Sequence, residues 1–276
     1  MVNAPTLMVH LGLGRSNAGL LQIAGELADR WQAAVIGIAA CQPMPMIYGE
    51  GYLSAELIEQ DRLSMAREMQ KAEAECRGAL QTRVTSLEWR STLRYASLSD
   101  YLAREARSAD VIVTSAASGD LFDASRALNL GDLVMHAGRP VLIVPNAVRT
   151  LTLDRVLVAW KDAREARRAV LDALPLLRLA SEVCVVEIAA NPLLAEARAR
   201  VEDVARWLQR HGVQATAQAS ASSDHNAQAL LAIAHDRRAD VIVAGAYGHG
   251  RLREWALGGM TRDLLQPTDR CSFVSH

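Results

Sequence analysis

One short motif occurs twice in this chain and sets its organisation. Arg107-Ser-Ala-Asp110-Val-Ile-Val returns 130 residues later as Arg237-Arg-Ala-Asp240-Val-Ile-Val. Each copy follows a helical pattern with an Ala/Leu stripe, Tyr101 to Ala109 and Ala227 to Ala239. Upstream, the apolar runs that begin at Leu7 and Val156 each lead into a helical pattern, Asn17 to Trp31 and Arg164 to Leu179. Apolar runs follow in both cases, Ala33 to Ala40 and Glu182 to Ala189, and each half closes on a short one, Val141 to Val144 and Cys271 to Val274. Segments that match in order as well as in character mark a duplicated unit.

The apolar runs are short, β-branched and continuous rather than alternating, as expected of strands covered on both faces. Strands alternating with helices of about ten residues or more require parallel sheets with right-handed crossovers. The sequence therefore predicts an α/β protein of two tandem doubly wound domains, residues 1–148 and 152–276, with a single ten-stranded sheet as the alternative. Each would hold a five-stranded parallel sheet of order 3-2-1-4-5 with helices on both faces. The repeat offset falls from 149 (Met8 to Leu157) to 130 (Asp110 to Asp240), so the first half carries about 19 extra residues. The Pro/Gly/Met-rich stretch from Gln42 to Tyr52, with a helix lengthened to run from Ser54 to about Leu80, accounts for them.

Composition narrows the function classes. A net charge of −1 provides no electrostatic footprint for nucleic acid. No apolar run approaches the roughly 20 residues of a membrane span, and the first residues lack the basic segment of a secretory leader. Cys41, Cys76, Cys184 and Cys271 are far apart in sequence, without metal-ligand spacing, and three sit in or beside apolar runs. Buried free thiols and a cytoplasmic location are the expectation.

The functional signal lies near the end. The run from Asp240 to Ala244 breaks into Gly245-Ala-Tyr-Gly248-His249-Gly250, and nine residues separate Gly248 from the pair Gly258-Gly259, which Met260-Thr261 follows. Glycines permit tight turns and close backbone approach, and the helical pattern after the second cluster offers N-terminal N–H groups to an anion. In a sheet of order 3-2-1-4-5 the ligand crevice lies beyond the carboxyl ends of strands one and four. In the second half those ends are Trp160-Lys161-Asp162 and the glycine arm, on which His249, Arg251 and Arg253 could add charge. At the repeat offset the first half has Ser115, Ser118 and Leu128-Asn129, side chains where backbone would have to come close.

Gly245-x-x-Gly248, nine residues and then Gly258 resembles the ATP-binding signature of the universal stress protein family. The stretches Tyr247 to Arg262 and Val156 to Val170 are similar to the tandem-domain branch of that family in particular. The resemblance covers nearly the whole chain and is strongest in the second half. It implies ATP as the ligand, with ADP or AMP as alternatives and Mg accompanying the nucleotide. It assigns phosphate and ribose to Gly245, Gly248, Gly258 and Gly259, and the adenine pocket to Ala159, Trp160, Lys161, Asp162 and Ile188. His249 and Gly250 belong to the same arm. The chain departs from the family pattern at Gly259, where a Ser or Thr is usual and Thr261 would have to supply the hydroxyl. It departs again at Lys161, where the family tends to be acidic and this chain has Asp162 one position later. Single-domain members pair through their last strands, so Val141 to Val144 and Ser272 to Val274 are candidates for pairing between the two domains, and a homodimer is compatible with this.

Other chemistry is missing from the sequence. There is no Gly-x4-Gly-Lys-Ser/Thr loop, no Gly-x-Ser-x-Gly elbow and no His-Glu-x-x-His pair. Gly12-Leu-Gly14 offers two glycines of a dinucleotide fingerprint without the third and reads as the turn after strand one, while His10 reads as a packed residue at that strand's end. No catalytic residue is assigned. The expected function is an adenine-nucleotide-binding stress-response protein acting as a ligand-linked regulator or interaction module. A structural protein that has lost its nucleotide, or a slow ATP hydrolase, are the alternatives.

Overall fold

The computed structural model describes residues 4–42, 55–93, 97–116, 128–221, 226–246 and 269–276. The chain divides into two compact units, Met1–Ala137 and Gly138–His276.

The first unit runs β1 (Thr6–His10), α1 (Ala18–Trp31), β2 (Ala34–Cys41), α2 (Ala55–Leu80), β3 (Leu87–Leu93), α3 (Leu98–Glu105), β4 (Val111–Ser115) and α4 (Leu130–His136). Its strands are parallel in the order β3-β2-β1-β4. The continuous apolar reading of β1, β2 and β4 has its cause in burial, since helices cover both faces and nearly every residue of these strands is inaccessible. The helix expected from Ser54 to Leu80 is α2, with 26 residues against 17 in its counterpart in the second half, Leu194–Arg210. The remainder of the insertion, with Met44, Met46, Ile47 and Tyr48, lies outside the described residues.

The second unit begins with β5 (Val141–Val144), followed by β6 (Arg155–Ala159), α5 (Arg164–Asp172), α6 (Leu174–Leu177), β7 (Glu182–Ala189), α7 (Leu194–Arg210), β8 (Ala215–Ala221), α8 (Asn226–Asp236), β9 (Val241–Gly245) and β10 (Cys271–Ser275). The parallel order β8-β7-β6-β9-β10 is the expected 3-2-1-4-5. Beyond it β5 adds an antiparallel strand, Leu142 opposite Phe273 and Val141 opposite Val274. The expected linker is packed: Leu151 and Leu153 are buried, and the Leu153 carbonyl accepts from the Ser181 N–H. One expectation is corrected. The helix read from Arg164 to Leu179 breaks at Ala173, because Pro175 has no N–H to continue the ladder and instead starts α6.

The duplicated aspartates have the same role in both units. The Asp240 N–H donates to the Arg155 carbonyl, and the Arg155 N–H donates to Asp240 Oδ2, 2.8 and 3.0 Å. In the first unit Asp110 and Thr6 exchange the same pair of bonds, both 2.8 Å. Each aspartate thus fixes the register of the fourth strand against the first, at the end of the sheet opposite the crevice. Asp240→Ala removes the side-chain half of this bracket and is expected to cost about 1 kcal/mol of stability in urea unfolding, with Asp240→Asn costing less.

Candidate functional site

In the second unit the chain leaves β6 toward β7 on one side and returns through β9 on the other, so the carboxyl ends of these strands flank the point where strand order reverses. Ala159 is level with Ala244. The Trp160 N–H still donates to the Val186 carbonyl, at 2.8 Å, so β6 holds its direction one residue further before the chain turns away. Crevices of this kind are where doubly wound sheets bind ligands.

The floor of the crevice is apolar. Ala159 and Ile188, both partly exposed, pack against one buried cluster that includes Leu157, Val186, Ala244 and, from α8, Leu230 and Ala234. Ala159 and Ile188, from the neighbouring strands β6 and β7, thus border the same apolar cluster. Trp160 is half-buried beside them. Lys161 and Asp162 are exposed. The Asp162 carboxylate is turned into an ion pair with Arg167, 2.8 Å, on the outer face of α5.

Gly245 ends β9 for a steric reason. A Cβ on it would lie 2.5 Å from the Ala166 nitrogen and 2.7 Å from the Glu165 carbonyl oxygen, both backbone atoms that cannot rotate away. The first turn of α5 therefore rests directly on the end of β9. The next residue roots the glycine arm: the Ala246 N–H donates to the Ser275 carbonyl at 2.8 Å, and the Ala246 carbonyl accepts from His276 Nδ1 at 3.0 Å. Gly248, His249, Gly250, Gly258, Gly259 and Thr261 lie outside the described residues.

Two charged groups here were not singled out from the sequence. Glu187, buried on β7, is held by Arg200 of α7 at 2.6 Å, and that contact raises the Arg200 pKa. Glu165 is 2% exposed on the inward face of α5, which otherwise reads Ala166, Ala169, Val170 and Ala173. A glutamate inside an apolar stripe is the signal that could have found it.

The first unit has the same frame with different fittings. At the end of β1, where the second unit has Ala159, His10 is buried, and its Nδ1 lies 2.9 Å from Thr114 Oγ1 on β4. Gly12 to Asn17 forms the turn after strand one. The Asn17 carboxamide closes it by accepting from the Gly12 N–H at 2.9 Å and donating to the Gly12 carbonyl at 3.0 Å. Ser115 is buried at the register of Gly245. Asn129, at the register of Gly259, caps α4, its side chain accepting from the Asp132 N–H at 3.1 Å.

The remaining chemistry-bearing groups lie elsewhere. All four cysteines are free and buried, and burial pushes the thiols of Cys76 and Cys271 up to about 11 and about 12. Among the described residues no three His, Cys, Asp or Glu side chains cluster as a metal site, and no helix is long and apolar enough to cross a membrane. A cavity of about 270 Å³ opens at the opposite end of the sheet, over Arg155, Glu182, Cys184 and Arg237. Its charged rim is internally satisfied, with Arg237 bonded to Gln218 at 2.8 Å and to Glu182 at 3.3 Å.

No protein-family model matches the sequence, and no curated protein matches it. Solved structures do. A universal stress protein from Archaeoglobus fulgidus superposes with a TM-score of 0.72 at 13% identity, covering 99% of this chain and 98% of that one. A functionally unknown protein from Pseudomonas aeruginosa superposes at 0.61 with 16% identity, over 99% and 92% of the two chains. The chain has the fold of a tandem universal stress protein.

Two outcomes follow from this geometry. Gly245→Ala forces α5 off β9 and is expected to destabilise the protein by about 2–3 kcal/mol in denaturant unfolding. His10 is lowered from 6.5 to about 3, first by burial and then by the Arg15 charge, so it stays neutral in the folded protein while the unfolded chain protonates it. Its stabilising contribution is whole above pH 6.5 and is lost as the pH falls toward 3, at up to about 1.4 kcal/mol per unit. The urea midpoint of the wild type should therefore drop more steeply between pH 6.5 and 5 than that of His10→Gln.

Proposed function

We propose that the chain is a cytoplasmic protein of the universal stress type whose second unit binds an adenine nucleotide, ATP, at the β6/β9 crevice. The observation that carries this reading is the crevice itself. An apolar floor under Ala159 and Ile188 suits a purine ring, and the glycine arm leaves β9 at its edge. A flat aromatic base needs apolar contact on its faces, and a polyphosphate needs backbone N–H donors that side chains do not crowd. The arm's Gly248, Gly258 and Gly259 supply the second requirement, with Thr261 and His249 as additional phosphate contacts and Mg accompanying the nucleotide.

The first unit is the non-binding partner. At the end of its first strand His10 is buried against Thr114, and the position of Gly259 is taken by Asn129 as a helix cap. The protein acts as a binding module: nucleotide binding shifts the population of a surface that a stress-response partner reads.

Calorimetry with ATP on the wild type and on Gly248→Val tests this, alongside a phosphate-release assay. The expected result is saturable binding in the wild type, loss of affinity by about a hundredfold or more in the variant, and phosphate release no greater than background in either. Release that depends on Gly248 would make the protein a hydrolase. Absence of ATP binding in the wild type would leave a structural protein.

A further inference from the structure

The edge strand β8 is open where edge strands are usually guarded. Among the described residues it pairs only with β7, in an unbroken parallel register from Val183 level with Ala215 to Ala189 level with Ala221. The Val183 N–H donates to the Gln214 carbonyl at 2.8 Å, so alternation of the ladder turns the peptide groups of Thr216, Gln218 and Ser220 toward β7. Those of Ala215, Ala217, Ala219 and Ala221 point away from it. The Ala215 carbonyl accordingly accepts from Gln209 Nε2 of α7, at 2.8 Å. The outward groups of Ala217 and Ala219 have no such partner among the described residues.

Unpaired edges template the addition of another strand, and proteins blunt them with charges, proline or bulges. The edge strand of the first unit, β3, has such a guard in Arg90, which is held by Glu88 and Glu105, each at 2.8 Å. β8 reads Ala-Thr-Ala-Gln-Ala-Ser-Ala, with no charge, no proline and no bulge. Thr216, Ala217 and Ala221 are exposed. The order of residues is the same read outward in either direction from Gln218, save that Thr216 stands on one side and Ser220 on the other. A two-fold interface sets one patch against itself, so a patch that forms one must be self-complementary. β8 has that property in its side chains and in the direction of its peptide groups.

We infer that β8 is a homodimerisation edge, paired antiparallel with β8 of a second copy of this chain about a two-fold axis at Gln218. In this register Ala217 faces Ala219 of the second copy, and Ala215 faces Ala221. All four turn their peptide groups outward, as hydrogen-bonded pairs of an antiparallel ladder require. Gln218, whose peptide group points inward, meets Gln218 of the second copy in a non-hydrogen-bonded pair. Thr216 meets Ser220, hydroxyl beside hydroxyl on one face of the sheet. The remaining side chains are methyl groups, which do not hold the backbones apart. A slip of one residue would set outward groups against inward ones, and longer slips shorten the ladder. The self-complementary order selects a second copy over a foreign strand. A ladder of 7 residues is a small contact beside the roughly 1,200 Å² or more of stable interfaces, so the dimer is reversible.

Sedimentation equilibrium of the full chain tests this, on wild type and Ala219→Pro, with thermal melting of both. The wild type should dimerise with a Kd on the order of 10 μM. Ala219→Pro should self-associate about a hundredfold more weakly and melt close to wild type, because the N–H it removes bonds nothing within the chain. Cross-linking with copper phenanthroline as oxidant reads the register. Gln218→Cys should give a disulfide dimer, since opposite Cα atoms of a non-hydrogen-bonded pair lie about 4.5 Å apart. Thr216→Cys should not, its two copies being roughly 14 Å apart along the strands. The wild type, with its cysteines buried, provides the background. A wild type that stays monomeric at about 100 μM overturns the inference, and so does a dimer that persists in Ala219→Pro. Failure of Ala219→Pro to fold would mean that its N–H serves within the chain, and overturns it too. Cross-linking of Thr216→Cys as readily as Gln218→Cys overturns the register and with it the two-fold axis.

Discussion

The first turn of α5 lies against the end of β9 with no room for a single methyl group at Gly245, and the arrangement of the crevice depends on that contact. It holds the helix down over β9 and β10 and places Glu165 on the inward face at the carboxyl edge of the sheet. It also fixes the point at which the chain leaves β9, since Ala246 is tied to Ser275 one residue later. A glycine that reads in the sequence as a phosphate contact is, in the structure, first of all a packing position.

Duplication has kept the frame and changed the fittings. The aspartate bracket between the first and fourth strands is the same in both units, which is why Asp110 and Asp240 stand out in matched motifs. That bracket lies at the amino ends of the strands, where stability is set. At the carboxyl ends, where ligands bind, the halves diverge. His10 stands for Ala159, Ser115 for Gly245 and Asn129 for Gly259. In the first unit His10 bonds to Thr114 and Asn129 caps a helix. In the second unit those side chains are absent.

The α/β class, the strand order and the length of α2 were legible in the sequence because each rests on local pattern: continuous apolar runs, helical periodicity and the offset between repeats. The break at Ala173 was legible too, in Pro175, and was overridden by an amphipathic pattern that continues through it. The pairing of β5 with β10 was open to expectation only through the family resemblance, which named Val141 to Val144 and Ser272 to Val274; the register that sets Leu142 opposite Phe273 is visible in the fold alone. For the site, Ala159 and Ile188 are implied by the family resemblance alone, and their packing on one cluster depends on α8, which lies on that face of the sheet. Lys161 and Asp162, adjacent in sequence to the crevice, are exposed, and Asp162 pairs with Arg167. Glu165 was hidden because an acidic residue in the first turn of a helix is ordinary, favoured by the helix dipole wherever it is exposed. Its burial is the informative fact, and burial at a helix start depends on what lies beneath it.

The central claim is that one unit of the pair binds an adenine nucleotide and the other does not. Native mass spectrometry of the protein titrated with ATP measures this most directly, since it counts ligands per chain. The account predicts saturation at one ATP per chain, with no second adduct at excess nucleotide. A second specific adduct, or a chain that remains unliganded throughout, would contradict it.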